Sequence, residues 1–172
     1  MPMQSDAVFS PCQLYRYALW RIWDEALPAV LFIGLNPSTA DAERNDPTIR
    51  RCIGFAQGWG FGGVYVANLF AYRATQPKRL KAAAEPIGSE TDEWLVKLYG
   101  KADLAIAAWG NHGTFCGRDR TVRQLLPSLH CLKLTQQNQP AHPLYLKSDL
   151  RPILLNSLPL DSSPIDGATL NG

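Results

Sequence analysis

Three polar side chains stand where the surrounding sequence is apolar or conformationally restricted, and each is able to do chemistry. Asn36 lies in Gly34-Leu35-Asn36-Pro37-Ser38, directly after the apolar run Ala29 to Ile33. Pro37 lacks an amide donor and restricts the residue before it, so the Asn36 amide is held in one direction and is suited to orienting a water molecule. An Asx-turn closed by Asn36, with Ser38, Thr39 and Asp41 capping the loop, is the competing role. His142 opens His142-Pro143-Leu144-Tyr145-Leu146, in a loop stiffened by Pro140 and Pro143. Its imidazole can donate a hydrogen bond to a developing anion or, when charged, stabilise it; an ordinary surface histidine is the alternative. Asn68 interrupts the apolar run Val64 to Phe70. A buried amide that finds no partner costs about 1–3 kcal/mol. Its donor and acceptor match either the edge of a nucleobase or a neighbouring loop.

Other spacings fail on context. Gly58-x-Gly60-x-x-Gly63 has the spacing of a dinucleotide fingerprint but follows a helix and precedes a strand, the reverse of the order a phosphate cradle requires. His112 and Cys116 stand four apart in a glycine-rich loop with no companion ligands nearby in sequence, so no metal site is expected. The four cysteines form no C-x-x-C pair and read as reduced thiols packed like small hydrophobes. No cofactor is expected.

The elements that must position these residues alternate between strand and helix. Leu14 to Trp23, aromatic and β-branched, is expected as a strand at the sheet edge, and Val30 to Ile33, ended by Gly34, as a central strand covered on both faces. Asp46-Pro47 followed by Ile49, Cys52, Ile53 and Ala56 predicts a helix from Pro47 that ends before Gly60. Val64 to Phe70 is a second core strand. A capping-box pattern at Ser89-Glu90-Thr91-Asp92 predicts a helix over Thr91 to Tyr99. Leu104 to Ala108 is a third strand; Val122, Leu125 and Leu126 mark a short helix; Leu129 to Leu134 is a fourth strand. The expected fold is a single three-layer α/β domain over residues 1–156, with a four-stranded, mostly parallel sheet and an N-terminal edge strand. Beyond Ile153 a fading helix gives way to a flexible tail over 157–172. In such a sheet, ligands bind at the carboxyl ends of the strands, so Asn36 and His142 are expected to face one cleft.

Composition narrows the partners. The 172 residues carry a net charge of +2, too small for a broad electrostatic grip on nucleic acid, so any such contact must come from local clusters. Arg73, Lys78, Arg79 and Lys81 after the second strand, and Arg118, Arg120 and Arg123 after the third, are candidates for contacting phosphates, with a solvated surface as the alternative. No apolar run approaches the roughly 20 residues of a membrane helix, and the first residues lack the pattern of a signal peptide; a cytoplasmic protein with no membrane partner is expected.

The runs G-L-N-P-S-T-A-D, A-N-L-F-A-Y-R-A-T, A-W-G-N-H-G and H-P-L-Y-L resemble a bacterial and phage domain family of unknown function, over about Tyr15 to Ile153. The same motifs distantly resemble the uracil-DNA glycosylase superfamily. That resemblance implies a glycosylase-like fold in which Asn36 positions the attacking water and His142 stabilises the departing base anion. It implies that Asn68 reads the base and that Gly34, Leu35, Pro37 and Phe70 help to enclose it, with Phe55 and Phe61 as further candidates to stack on it. Ser38, Arg73, Leu144, Tyr145 and Lys147 would then contact nucleic acid, Leu144 or Tyr145 as a wedge. Leu144 stands where that superfamily has serine, and Tyr72 stands where its iron-sulfur members have cysteine, which argues against a cluster. The expected function is nucleobase binding in DNA, with hydrolysis of the N-glycosidic bond of a modified or damaged base. A non-catalytic nucleic-acid or nucleotide-binding module, and an enzyme acting on modified bases or free nucleotides, are the alternatives.

Overall fold

The computed structural model describes residues 3–155. The expected tail, and the residue at which the expected domain ends, lie outside the described residues. Seven strands form one sheet: β1 (Gln4–Phe9), β2 (Arg16–Ile22), β3 (Ala29–Gly34), β4 (Gly63–Asn68), β5 (Leu104–Ala107), β6 (His130–Cys131) and β7 (Ile153–Leu154). Their order is β1-β2-β4-β3-β5-β6-β7. The strands β4, β3, β5 and β6 run parallel, whereas β2 joins β4, β1 joins β2 and β7 joins β6 antiparallel.

The expected four-stranded sheet is therefore corrected to seven strands. The segment expected as the edge strand lies one place inside it, because β1 pairs along nearly all of β2 and takes the edge instead. β1 begins with the polar, exposed Gln4, Ser5 and Asp6, so its strand character comes from its partner rather than from local pattern. The fourth expected strand shrinks to His130–Cys131, and Leu154, expected to open a fading helix, pairs with His130 as part of β7.

Alternation along β3 divides the core. Val30 and Phe32 pack with Cys52, Phe55 and Ala56 of α1 (Pro47–Gly58) on one face. Leu31 and Ile33 face the other way, toward Leu80 of α2 (Pro77–Ala82), Leu95 and Leu98 of α3 (Thr91–Lys101) and Val122 of α4 (Arg118–Leu125). A strand covered on both faces reads as a continuous apolar run, which is why Val30 to Ile33 is buried throughout. α1 starts as expected: the Asp46 carboxylate accepts the Ile49 amide at 2.9 Å and Pro47 occupies the first turn. α3 starts without the expected capping box: its N-cap is Glu90, which makes no side-chain capping hydrogen bond, and the Thr91 hydroxyl donates to the Ile87 carbonyl. Among the described residues no helix is long and apolar enough to cross a membrane.

Candidate functional site

The chain leaves β3 through α1 to β4 on one side, and later places β5 on the other side of β3. Loops leaving the carboxyl ends of such neighbouring strands diverge and open a crevice between them. A cavity of about 480 Å³ lies there, lined by Gly34 to Ser38 after β3, Asn68 at the end of β4, Ala108 to His112 after β5, and His142 to Leu144. Its size falls within the roughly 300–1,000 Å³ of ligand pockets. Arg16 from β2 and Asp46, Thr48, Ile49 and Cys52 from the start of α1 complete much of the wall.

Gly34 and Asn68 are opposite one another in the β3–β4 register. A Cβ placed on Gly34 would stand 2.8 Å from Asn68 Oδ1, so glycine here clears room for the asparagine amide. Asn68 is 6% exposed, and its Nδ2 is buried with no hydrogen-bond partner among the described residues. An orphaned donor of this kind normally finds a partner in native structures, and here it belongs to a residue on the cavity wall. Asn36 differs. Its Nδ2 donates to the carbonyls of Pro37 (3.1 Å), Tyr72 (3.4 Å) and Ala74 (2.9 Å), which ties the loop after β3 to the loop after β4. These bonds hold the amide in place, with Oδ1 as the acceptor that remains to offer.

The histidine loop is anchored from three sides. The Gly110 amide donates to the Pro140 carbonyl at 2.7 Å, and Trp109 Nε1 donates to Gln139 Oε1 at 3.0 Å while Gln139 Nε2 donates to Asp119. From α1, the Arg51 guanidinium donates to the carbonyls of Pro143 and Leu146 and lies 4.9 Å from the centre of the Phe55 ring. Within the loop, His142 Nδ1 accepts the Leu144 amide at 3.2 Å. The neutral imidazole therefore carries its proton on Nε2, a donor. The protein packed around His142 pushes its pKa below the ordinary value, with Asp46 opposing more weakly, so the neutral ring is favoured although part of it is exposed at the cavity mouth.

Arg16 is 3% exposed, and among the described residues the one hydrogen bond of its guanidinium is from Nη1 to the Ala40 carbonyl at 3.1 Å, while its buried Nε has no partner. Burial pulls its pKa down to about 10, against the pull of Asp46 in the opposite direction, so the group stays charged at neutral pH. A buried ion without a close counter-ion costs several kcal/mol. Asp46 lies on the same wall, but its oxygens accept the amides of Ile49 and Ala40. Cys52 is also on the wall, and burial raises its pKa above the ordinary thiol value, which favours the neutral thiol.

Of the residues read from the sequence, Gly34, Leu35, Asn36, Pro37, Ser38, Asn68, His142 and Leu144 line this one cavity. Phe70 does not: it is fully buried in the core against Phe115, with ring centroids 5.5 Å apart, so a base cannot reach it. Phe55 and Phe61 are likewise held against Trp59 rather than on the wall. Arg73 lines a separate, open depression, lies over the Phe9 ring and donates to the Gln13 carbonyl. Tyr145 and Lys147 are exposed and outside the cavity lining. The basic residues after the second and third strands do not gather on its wall either; Arg118 is buried, paired with Asp92 at 2.7 Å and bonded to the Leu69 carbonyl. Sequence reasoning missed Arg16, Arg51 and Trp109 and set His112 aside, although His112 lines the cavity. The signal for Arg16 was present: it is a charge inside a strand, open to the same argument that singled out Asn68.

A family model described as a protein of unknown function (DUF1643) matches residues 16–144. The chain belongs to that family. The matched span opens on Arg16 and closes on Leu144, the first and last residues of the cavity wall, so the DUF1643 region contains the whole lining while β1 and β7 fall outside it. Neither the search of curated proteins nor that of solved structures found a match. The likeness to glycosylases rests on the sequence motifs alone.

Proposed function

We propose that this DUF1643 protein binds a nucleobase in the cavity at the carboxyl ends of β3, β4 and β5, and hydrolyses the N-glycosidic bond of a modified or damaged base in DNA. One observation carries the reading: the Asn68 amide is buried on the cavity wall with its Nδ2 unpartnered, and Gly34 leaves space in front of it. A base edge offers both an acceptor for that nitrogen and a donor for Oδ1. Around it, Asn36 offers Oδ1 to a water, and neutral His142 offers Nε2–H to the departing base anion. Tyr145 is 91% exposed one residue beyond Leu144, a placement suited to a side chain that enters a duplex as a base is flipped out.

A second reading, a binding module without hydrolysis, is favoured by the way Asn36 Nδ2 is committed to three backbone carbonyls, the work of a structural clamp. One experiment separates the two. Wild type, Asn68→Ala and His142→Ala are incubated with oligonucleotides bearing a panel of modified bases, and abasic sites and binding are both measured. Hydrolysis predicts abasic sites that fall at least tenfold in each variant. Binding without abasic sites, lost in Asn68→Ala, selects the module; binding equal in wild type and Asn68→Ala removes Asn68 and the nucleobase reading with it.

A further inference from the structure

We infer that Arg16 is an anion-binding residue of the cavity and that the ligand brings a phosphate ester to it beside the base. The inference rests on the nucleobase reading for the base and on separate observations for the phosphate. Arg16 is buried, lines the cavity, and among the described residues has a guanidinium that meets one neutral carbonyl and no carboxylate within salt-bridge distance. The five donors of a guanidinium form a planar fork that matches two oxygens of a phosphate.

The other buried arginines of the fold are already served. Arg21 donates to Asn45 and to the carbonyls of Asp6, Trp20, Asp41 and Arg44, and Arg118 is paired with Asp92. Only Arg16 among these three borders the cavity. Asp46 is the nearby negative charge on that wall. Its carboxylate accepts the amides of Ile49 in the first turn of α1 and of Ala40 in the loop before it, and it acts on Arg16 from beyond salt-bridge distance. Ser38, Thr48 and Thr75 also contribute to the wall, and their hydroxyls are neutral donors of the kind that complete a phosphate site. Cavity, orphaned base reader and unpaired cation together define the ligand class as a nucleotide, free or within a strand.

The test is calorimetric titration of the full chain, wild type and Arg16→Met, with inorganic phosphate, with the common nucleosides and with their 5′-monophosphates. A monophosphate at least tenfold tighter than its nucleoside in wild type, with that ratio falling toward one in Arg16→Met, supports the inference. A ratio of one in wild type overturns it and leaves nucleobase binding standing. Arg16-dependent binding of inorganic phosphate without any nucleoside binding supports the anion site and removes the base reading instead. A short single strand without terminal phosphates, bound with the same dependence on Arg16, makes an internal phosphodiester the source; binding of monophosphates alone makes it a free nucleotide. Should Arg16→Met fail to fold, Arg16→Lys keeps the charge and loses the fork, and the expected result is a ratio between those of wild type and one; a ratio unchanged from wild type overturns the fork.

Discussion

Arg16 and Arg21 stand on the same strand, both almost wholly buried, yet they live in opposite circumstances. Arg21 is surrounded by the turn over residues 41–45 and by its own sheet, and its guanidinium donates to four backbone carbonyls and to Asn45. Arg16, five residues earlier at the cavity, donates to one carbonyl. The two asparagines repeat the contrast: Asn36 Nδ2 has three carbonyls and Asn68 Nδ2 has none. Where the protein completes its own hydrogen bonding, the side chain is holding loops in place. Where it leaves a buried donor or cation open beside a cavity, we propose a ligand as the partner.

The comparison breaks first at Arg21. Replacing it with methionine strips donors from four partly buried carbonyls and from Asn45, and a loss of about 3 kcal/mol in denaturant unfolding is expected. Arg16→Met removes a buried charge that lacks a close counter-ion but also the donor of one buried carbonyl, that of Ala40, so stability is expected to change by less than about 1 kcal/mol. Equal destabilisation by both substitutions would erase the distinction. A smaller pair follows. Asn36→Ala leaves the Tyr72 and Ala74 carbonyls without their donor and is expected to cost about 1–3 kcal/mol, whereas Asn68→Ala removes an unpaired donor and is expected to change stability by less than about 1 kcal/mol while nucleobase binding falls.

Gly34→Ala sharpens the contrast further. The added methyl crowds Asn68 Oδ1 at 2.8 Å, so the amide must turn; the fold should persist by circular dichroism while nucleobase affinity drops roughly tenfold, the value of about 1.4 kcal/mol. The mildest effect is expected from pH. The folded-state pKa of His142 lies below its unfolded value of about 6.5. The unfolded chain therefore takes up this proton first as pH falls, and folding weakens below about pH 6.5 by an increment that His142→Ala abolishes. Protonation also ends the ability of Nδ1 to accept the Leu144 amide, so the loop loosens in the same direction. Thermal unfolding of wild type and variant across pH 5 to 8 reads this out; identical curves would place His142 in a solvent-like setting.

Much of the scaffold was legible locally. The buried run Val30 to Ile33, the capped start of α1 at Asp46-Pro47 and the strand over Val64 to Asn68 each announce themselves through apolar period and end signals, and the motif loops follow from where those strands stop. β1 and β7 were not legible, because a strand with a polar first half, or of two residues, exists only through its neighbour's open edge. Phe70 was misplaced for a related reason: its backbone amide bonds to Leu35 beside the cavity while its ring turns into the core, and residue spacing alone does not tell which way a ring beyond a strand end points.

By itself the sequence determined which residues are polar in apolar surroundings, Asn36, Asn68 and His142 among them, since that is a matter of composition along the chain. Only the tertiary structure decided which of those groups are satisfied, because a hydrogen-bond partner 36 or 38 residues away, as for Asn36, is supplied by folding and not by neighbours in the chain. The same closure that joins the two loops around Asn36 leaves Asn68 Nδ2 and Arg16 Nε without partners among the described residues, and that difference is invisible until the strands are side by side.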